Sequence, residues 1–229
     1  MKVQYTDEQT NAMQRLYGQF VRQGDLVFNV GANMGTRTQI FLDLGARVIA
    51  VEPQEAMCDV LRRRFAVRDV RIIQAACGPT DSDVELHLCT DNQLATCAPG
   101  WAESLQDRWS AEKWQQTITV RQITLDWLVE SFGYPSFVKI DVEGYEREVL
   151  KGMNNWTCPC LCFEATIPYV EPAIECVEDL AGRIGYDVFN YIVQEHMELR
   201  LDRWVPAERM IEILRTLPES TFYIDVFAR

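Results

Sequence analysis

Histidine is scarce in this chain: His87 and His196 are the whole supply. Acid–base chemistry near pH 7 therefore falls mostly to carboxyl groups. Basic residues are also short, with 22 Lys and Arg against 34 Asp and Glu and a net charge of −12. Such a chain repels phosphate backbones, so extended nucleic-acid binding would need a local basic stripe. The one cluster, Arg62-Arg63-Arg64, reads as the solvated side of an amphipathic helix. No apolar run approaches about 18 residues and no apolar leader opens the chain, so neither a membrane span nor a secretory signal is expected, and the protein is expected in the cytosol. No sequence repeat is present. No G-x-x-x-x-G-K-[ST] occurs, which excludes a P-loop.

Cysteine is not scarce, but its eight copies sit mostly in apolar runs, and reduced core thiols are expected rather than disulfides. Cys158-Pro-Cys160-Leu-Cys162 lacks the paired C-x₂₋₄-C spacing of zinc sites, and alternate residues of a strand share one face, so packing is the reading taken.

The 229 residues, 48% of them hydrophobic, suit one α/β domain, 1–229, with an insertion. Thr6 and Gln9 form a capping box before an amphipathic N-terminal helix that ends by Gly24. Strand, turn and helix then alternate: Asp25–Gly31 and the helix of Ile40, Phe41 and Leu44; Arg47–Glu52 and a helix with Pro53 in its first turn; and a third strand, Val70–Ala75. Alternation of this kind predicts a mostly parallel sheet. Val84–Leu88 and Thr117–Arg121 alternate with period two and read as an inserted pair of half-exposed strands within 81–123. Between them, Trp101, Leu105 and Trp109 recur every four residues. That spacing fits helix packing, with a lid over 90–116 that stacks on a substrate ring as the alternative. Strands Phe137–Asp141, Cys160–Glu164, Tyr186–Val193 and Phe222–Phe227, with intervening helices, bring the total to about seven.

In an open α/β sheet, ligands bind beyond the carboxyl ends of the strands. Here Asn29 and Gly31, Glu52, Asp141 with Glu143, and Glu164 stand at those ends. The turn Gly31-Ala-Asn33-Met-Gly35 fits G-x-G-x-G with Asn in the middle place and lacks the third glycine of a dinucleotide fingerprint. Glu52 is placed to accept both hydroxyls of a ribose.

The segments "NVGANMG", "VIAVEPQ", "TLDWL" and "VKIDVEGYEREVLKGM" resemble the FkbM family of S-adenosylmethionine-dependent methyltransferases, in order from about Gly24 to Glu164. The resemblance implies the class I methyltransferase fold, a Rossmann-like three-layer sandwich of seven strands with the last antiparallel. It also implies S-adenosylmethionine as cofactor. Carried onto this chain, the turn of Gly31, Ala32, Asn33 and Gly35, together with Asn29, would lie under the methionine part. Glu52 would hold the ribose, with Pro53 also counted among the cofactor-binding residues, Ala75 and Ala76 would flank the adenine, and Asp141 would stand beside the methionine end. The chain departs from the family at Asn29, where Asp is usual, and at Gly78-Pro79, where an acid is usual.

Methyl transfer is an in-line displacement, so alignment matters most, and a hydroxyl acceptor also needs a base. Glu143, Asp141 and His196 are the catalytic candidates, Glu143 foremost; Glu164 is also a candidate acid, Glu146 is read as stabilising the first turn of its helix, and His87 reads as an exposed strand residue. As an alternative the carboxylates could bind a divalent ion that orients a sugar diol, but nothing fixes a ligand count and no metal site is assigned. The expected function is O-methylation of a hydroxyl on a sugar, glycan or natural product, without nucleic-acid or membrane partners and compatible with a homodimer. The rivals are N-methylation of a small amine or peptide and a cofactor-binding module without turnover. The absence of an Asp/Asn-Pro-Pro-aromatic motif after Asp141 counts against exocyclic-amine methylation of nucleic acid.

Overall fold

The Thr6 hydroxyl accepts the Gln9 N–H at 3.2 Å while the Gln9 side-chain oxygen accepts the Thr6 N–H at 2.9 Å. Helix α1 (Asp7–Tyr17) grows from that reciprocal cap. The computed structural model describes residues 6–105, 114–154, 156–167 and 169–229. After α1 come β1 (Leu26–Val30), α2 (Thr36–Asp43), β2 (Arg47–Val51), α3 (Glu55–Arg64) and β3 (Val70–Ile73). The inserted region holds β4 (Ala76–Cys77), β5 (Ser82–Cys89), α4 (Pro99–Ser104) and β6 (Trp114–Ile123). The remainder is α5 (Leu125–Phe132), β7 (Phe137–Ile140), α6 (Glu146–Lys151), β8 (Cys160–Thr166), α7 (Glu171–Asp179), β9 (Phe189–Val193), α8 (Ala207–Thr216) and β10 (Tyr223–Ala228).

Seven of these strands form one sheet in the order β3-β2-β1-β7-β8-β10-β9, with β10 antiparallel to both neighbours and the other pairings parallel. This is the class I methyltransferase arrangement expected from the sequence. Strand alternation divides the core. Leu26, Phe28 and Val30 of β1 pack with Leu128, Val149, Val177 and Met210 on one side, and Val27 packs with Tyr17, Ile40 and Phe41 on the other. The α1 side is held by aromatic edges: the Tyr17 ring lies 5.0 Å from Phe41 and 5.9 Å from Phe137. Such pairs add roughly 0.5–1.5 kcal/mol each beyond area burial.

Three local expectations need correction. β3 stops at Ile73 rather than Ala75, because the Ala75 N–H turns back to the Ile73 carbonyl at 3.1 Å. The next two residues leave the main sheet as β4 and pair with β6, so the insertion is a three-stranded sheet, β4-β6-β5, and not a pair. Pro53 precedes α3 instead of lying in its first turn, since the Glu52 carboxylate accepts the Gln54 N–H at 2.9 Å and holds Gln54 extended.

Trp101 is fully buried, packs on Gly144 and donates its indole N–H to the Thr166 hydroxyl at 2.9 Å, which favours the packing reading of this segment; Trp109 lies outside the described residues. All eight cysteines are described and none is in a disulfide. Cys158, Cys160 and Cys162 are buried core side chains. Among the described residues, no helix is long and apolar enough to cross a membrane.

Candidate cofactor and acceptor site

β1 and β7 lie side by side where the strand order reverses, and their carboxyl ends open into a cavity of about 450 Å³. That volume is within the ~300–1,000 Å³ common for small-molecule sites. Gly31, φ +83°, lets the turn after β1 lie against the loop after β7, because a Cβ there would overlap the Asp141 carbonyl oxygen. Gly35, φ +85°, acts differently: it caps α2 and leaves room for the Phe65 ring and Leu61 of α3, and it does not line the cavity. Asn29, Ala32, Asn33, Pro53, Ala75 and Ala76 do line it.

Glu52 is 2% exposed at the end of β2. Its two oxygens accept the N–H groups of Asn33, at 2.8 Å, and Gln54, at 2.9 Å. Burial pushes its carboxyl above the usual range and these bonds pull the other way. Each oxygen keeps acceptor capacity toward the cavity. Asn33 takes φ +45°, and its side-chain amide donates to the Asn92 carbonyl at 3.1 Å, where the Gln54 amide also donates at 2.9 Å. The cradle is thereby tied to the inserted region, whose Asp91 and Gln93 complete the wall. Asn29, beneath, donates its amide to the Thr38 hydroxyl of α2 at 2.9 Å.

The cavity floor is acidic. Lys139 of β7 is 1% exposed and contacts Asp225 of β10 at 3.0 Å and Asp141 at 3.2 Å. Burial opposes its charge, but the two carboxylates outweigh burial and hold the ammonium well above its usual range. Carboxylate oxygens of Asp141, Glu143 and Glu164 lie within 4.8 Å of one another. At an effective dielectric of about 20, two unit charges at that distance repel by on the order of 3 kcal/mol, so the cluster resists full ionisation. Desolvation first, then Asp141, pushes both Glu143 and Glu164 well above the usual carboxyl range.

Glu143 sits at φ +57°, held by the Thr96 hydroxyl, which donates to its carbonyl at 2.6 Å. Glu146 braces the same loop by accepting the Val142 and Gly144 N–H groups at 2.9 and 3.3 Å, and burial pushes its carboxyl up to about 7. Opposite, Arg37 of α2 reaches both Glu195 oxygens at 3.1 and 3.2 Å, and the Tyr223 hydroxyl donates to Glu195 at 3.1 Å. His196 is exposed and outside the cavity lining, while His87 of β5 pairs with the Thr117 hydroxyl of β6, also away from it.

Residues 29–171, more than half of the chain, match the Methyltransferase FkbM domain. The chain belongs to the FkbM methyltransferase family. S-adenosylmethionine is the cofactor of this domain. The cavity suits that group: among the described residues, six carboxylates (Glu52, Asp91, Asp141, Glu143, Glu164, Glu195) and one guanidinium (Arg37) line it, complementing a ligand with a sulfonium and an ammonium. Over 143 residues the chain is 30% identical to the hexuronic acid methyltransferase AglP of Haloferax volcanii, covering 62% of this chain and 55% of AglP. Over 49 residues it is 39% identical to a chloroplastic ribosomal RNA small subunit methyltransferase of Arabidopsis thaliana, 21% of this chain and 14% of that protein. The chain thus spans about half the length of AglP and a smaller share of the other. The fold is shared with the precorrin-6y C5,15-methyltransferase of Geobacter metallireducens, at TM-score 0.50 and 11% identity, over 100% of this FkbM chain and 90% of that one.

Arg37, Asp91, Glu195 and Tyr223 also line the cavity and escape a reading of the sequence. They come from a helix, an irregular loop, a turn and the last strand, and no shared spacing marks them.

Proposed function

We propose that this FkbM domain moves the cofactor's methyl group to a hydroxyl oxygen of a sugar, glycan or related natural product. The observation that carries the reading is the Glu143–Glu164 pair, two half-buried carboxyls on the cavity floor beside Asp141. A hydroxyl must lose its proton to become a good nucleophile, and such carboxyls can take it. The hexuronic acid named for the Haloferax volcanii relative supports a sugar-like acceptor.

In this reading Glu52 accepts the ribose hydroxyls, and Pro53 shapes the loop beside it. Gly31, Ala32 and Asn33 give the methionine part a close backbone, Asn29 backs that turn from below, and Ala75 and Ala76 face the adenine. Gly35 acts from a distance by seating α2. When bound, the cofactor supplies a methyl group on a positively charged sulfur. Aligning acceptor oxygen, methyl and sulfur is the main task of the chain, worth about 7–11 kcal/mol in well-oriented systems. Glu143 takes the hydroxyl proton, Asp141 orients the methionine end, and His196, outside the cavity, is left without a role. Residues 1–229 are read as one domain, supported by helices from both ends of the chain packing on one sheet. A reducing, cytosolic setting is supported by eight cysteines without a disulfide.

Labelled S-adenosylmethionine offered with a panel of uronic acids, neutral sugars and polyhydroxylated natural products tests the reading. Label in a base-stable ether on one of these classes supports it; label confined to base-labile esters, or found only on amines or on the bases of ribosomal RNA in a parallel panel of those acceptors, contradicts it.

A further inference from the structure

The unused chemistry of this molecule is concentrated in one place. Glu164 lies near the end of β8 and Glu143 follows β7, and their carboxylates stand within 4.8 Å of each other and of Asp141. The buried cation beneath them, Lys139, is already shared between Asp141 and Asp225. Other charged or titratable groups face the pair from every side: Glu146 from α6, Asp91 from the insertion, Tyr223 and Asp225 from β10, and Glu195 with its partner Arg37 across the cavity. Acids dominate this surrounding, and the cations Lys139 and Arg37 are both engaged.

We infer that Glu143 and Glu164 hold one proton between them in the cofactor-free chain and release it when a positive charge is placed beside Asp141, so that the stronger, doubly ionised base is formed only in the loaded site. The inference rests on the proposed function and deepens it by adding Glu164 to the proton-accepting group. Burial and Asp141 hold the pair's proton in the empty cavity, in line with the raised carboxyls. A sulfonium charge at the methionine end offsets the repulsion that kept the proton in place.

The pair, doubly ionised, then accepts the acceptor's proton. The acceptor O–H bond breaks and its proton passes to a Glu143 or Glu164 oxygen; an O–C bond forms to the methyl; the C–S bond breaks and its electron pair stays on sulfur. The sulfur loses its charge as the pair regains a proton, so the charge at the floor balances before and after. The paired carboxyls thus tie the order of events together, because an acceptor that arrives first meets a pair that already holds one proton and is a weaker base than the doubly ionised pair.

Calorimetric titration at pH 6.5 in buffers of different ionisation enthalpy, with metal-free protein, counts the protons released on binding. S-adenosylhomocysteine is the reference: it has the same amino group, with an ordinary pKa of about 8, but no sulfonium charge. The expected result is a release larger by about one proton for S-adenosylmethionine than for S-adenosylhomocysteine. Glu164→Gln and Glu143→Gln should each remove most of that difference while both ligands still bind. Equal proton counts for the two ligands overturn the inference and leave methyl transfer standing. An undiminished difference in both variants also overturns it. Absence of binding by either ligand overturns the proposed function and this inference with it.

Discussion

The Asn33 N–H and a Glu52 carboxylate oxygen are 2.8 Å apart, a bond between the turn after β1 and the end of β2 that shapes the cradle before any ligand enters. Glu52 therefore does two things at once, fixing backbone and presenting spare acceptor capacity to a diol. Glu52→Ala is expected to weaken S-adenosylmethionine binding by about 1.5–3 kcal/mol, the usual worth of hydrogen bonds to a charged group. Glu52→Gln should lose less, since one oxygen remains. Calorimetric affinities check this, and an unchanged dissociation constant in Glu52→Ala removes the residue from the site.

Lys139 is expected to be a structural keystone. Replacing it with Met leaves Asp225, itself buried, without its cation. Breaking one side of a buried ion pair costs about 3–5 kcal/mol. Adding Asp225→Asn to Lys139→Met should recover a large part of the loss. Urea unfolding of the single and double variants measures both; a single variant within about 1 kcal/mol of the parent, by the same scale, contradicts the account.

Stability should fall as pH rises from about 5 to about 8. Burial pushes the Glu146 carboxyl from 4.5 up to about 7, so the folded chain holds that proton more tightly than the unfolded one. The resulting stabilisation is fully present below the unfolded value and is lost as pH passes through the folded value. Glu52, Glu143, Glu164 and Asp225 shift in the same direction. Glu146→Gln keeps an oxygen for the Val142 N–H and should flatten the slope by at most ~1.4 kcal/mol per pH unit. Thermal melts of parent and variant across that range decide it, and parallel curves refute the assignment.

Trp101→Ala should cost about 3–5 kcal/mol, the usual loss for a large buried ring. Its bond to Thr166 goes with it. Trp101→Phe should cost about 1–3 kcal/mol, mainly through the unpaired Thr166 hydroxyl. Denaturant midpoints test both, and an Ala variant as stable as the parent would place Trp101 outside the core.

What was legible in the sequence was local. Apolar runs ending in Asn29, Glu52, Asp141 and Glu164 marked strands and their carboxyl ends, and the G-x-N-x-G turn marked where a backbone comes close to a ligand. The sheet followed, because strand–helix alternation leaves few topologies. What escaped was pairing at long range. Lys139 sits inside an apolar strand with Asp141 two residues on, but its buried partner Asp225 comes from the antiparallel β10, 86 residues away. Arg37 and Glu195 meet across 158 residues, and β4 exists only because β6 returns to it. Period and capping report nothing about such contacts. The same holds for Glu143 and Glu164, each visible singly as strand-end acids, but as a close pair only once β7 and β8 lie side by side.

The acidic cavity at the β1–β7 junction is expected to hold S-adenosylmethionine, and titration of nucleotide-free protein with that molecule checks this without any acceptor present. Saturable binding at a single site is expected, with a rise in melting temperature that grows with ligand concentration. A titration with no heat, together with a melting temperature that does not move, would contradict it.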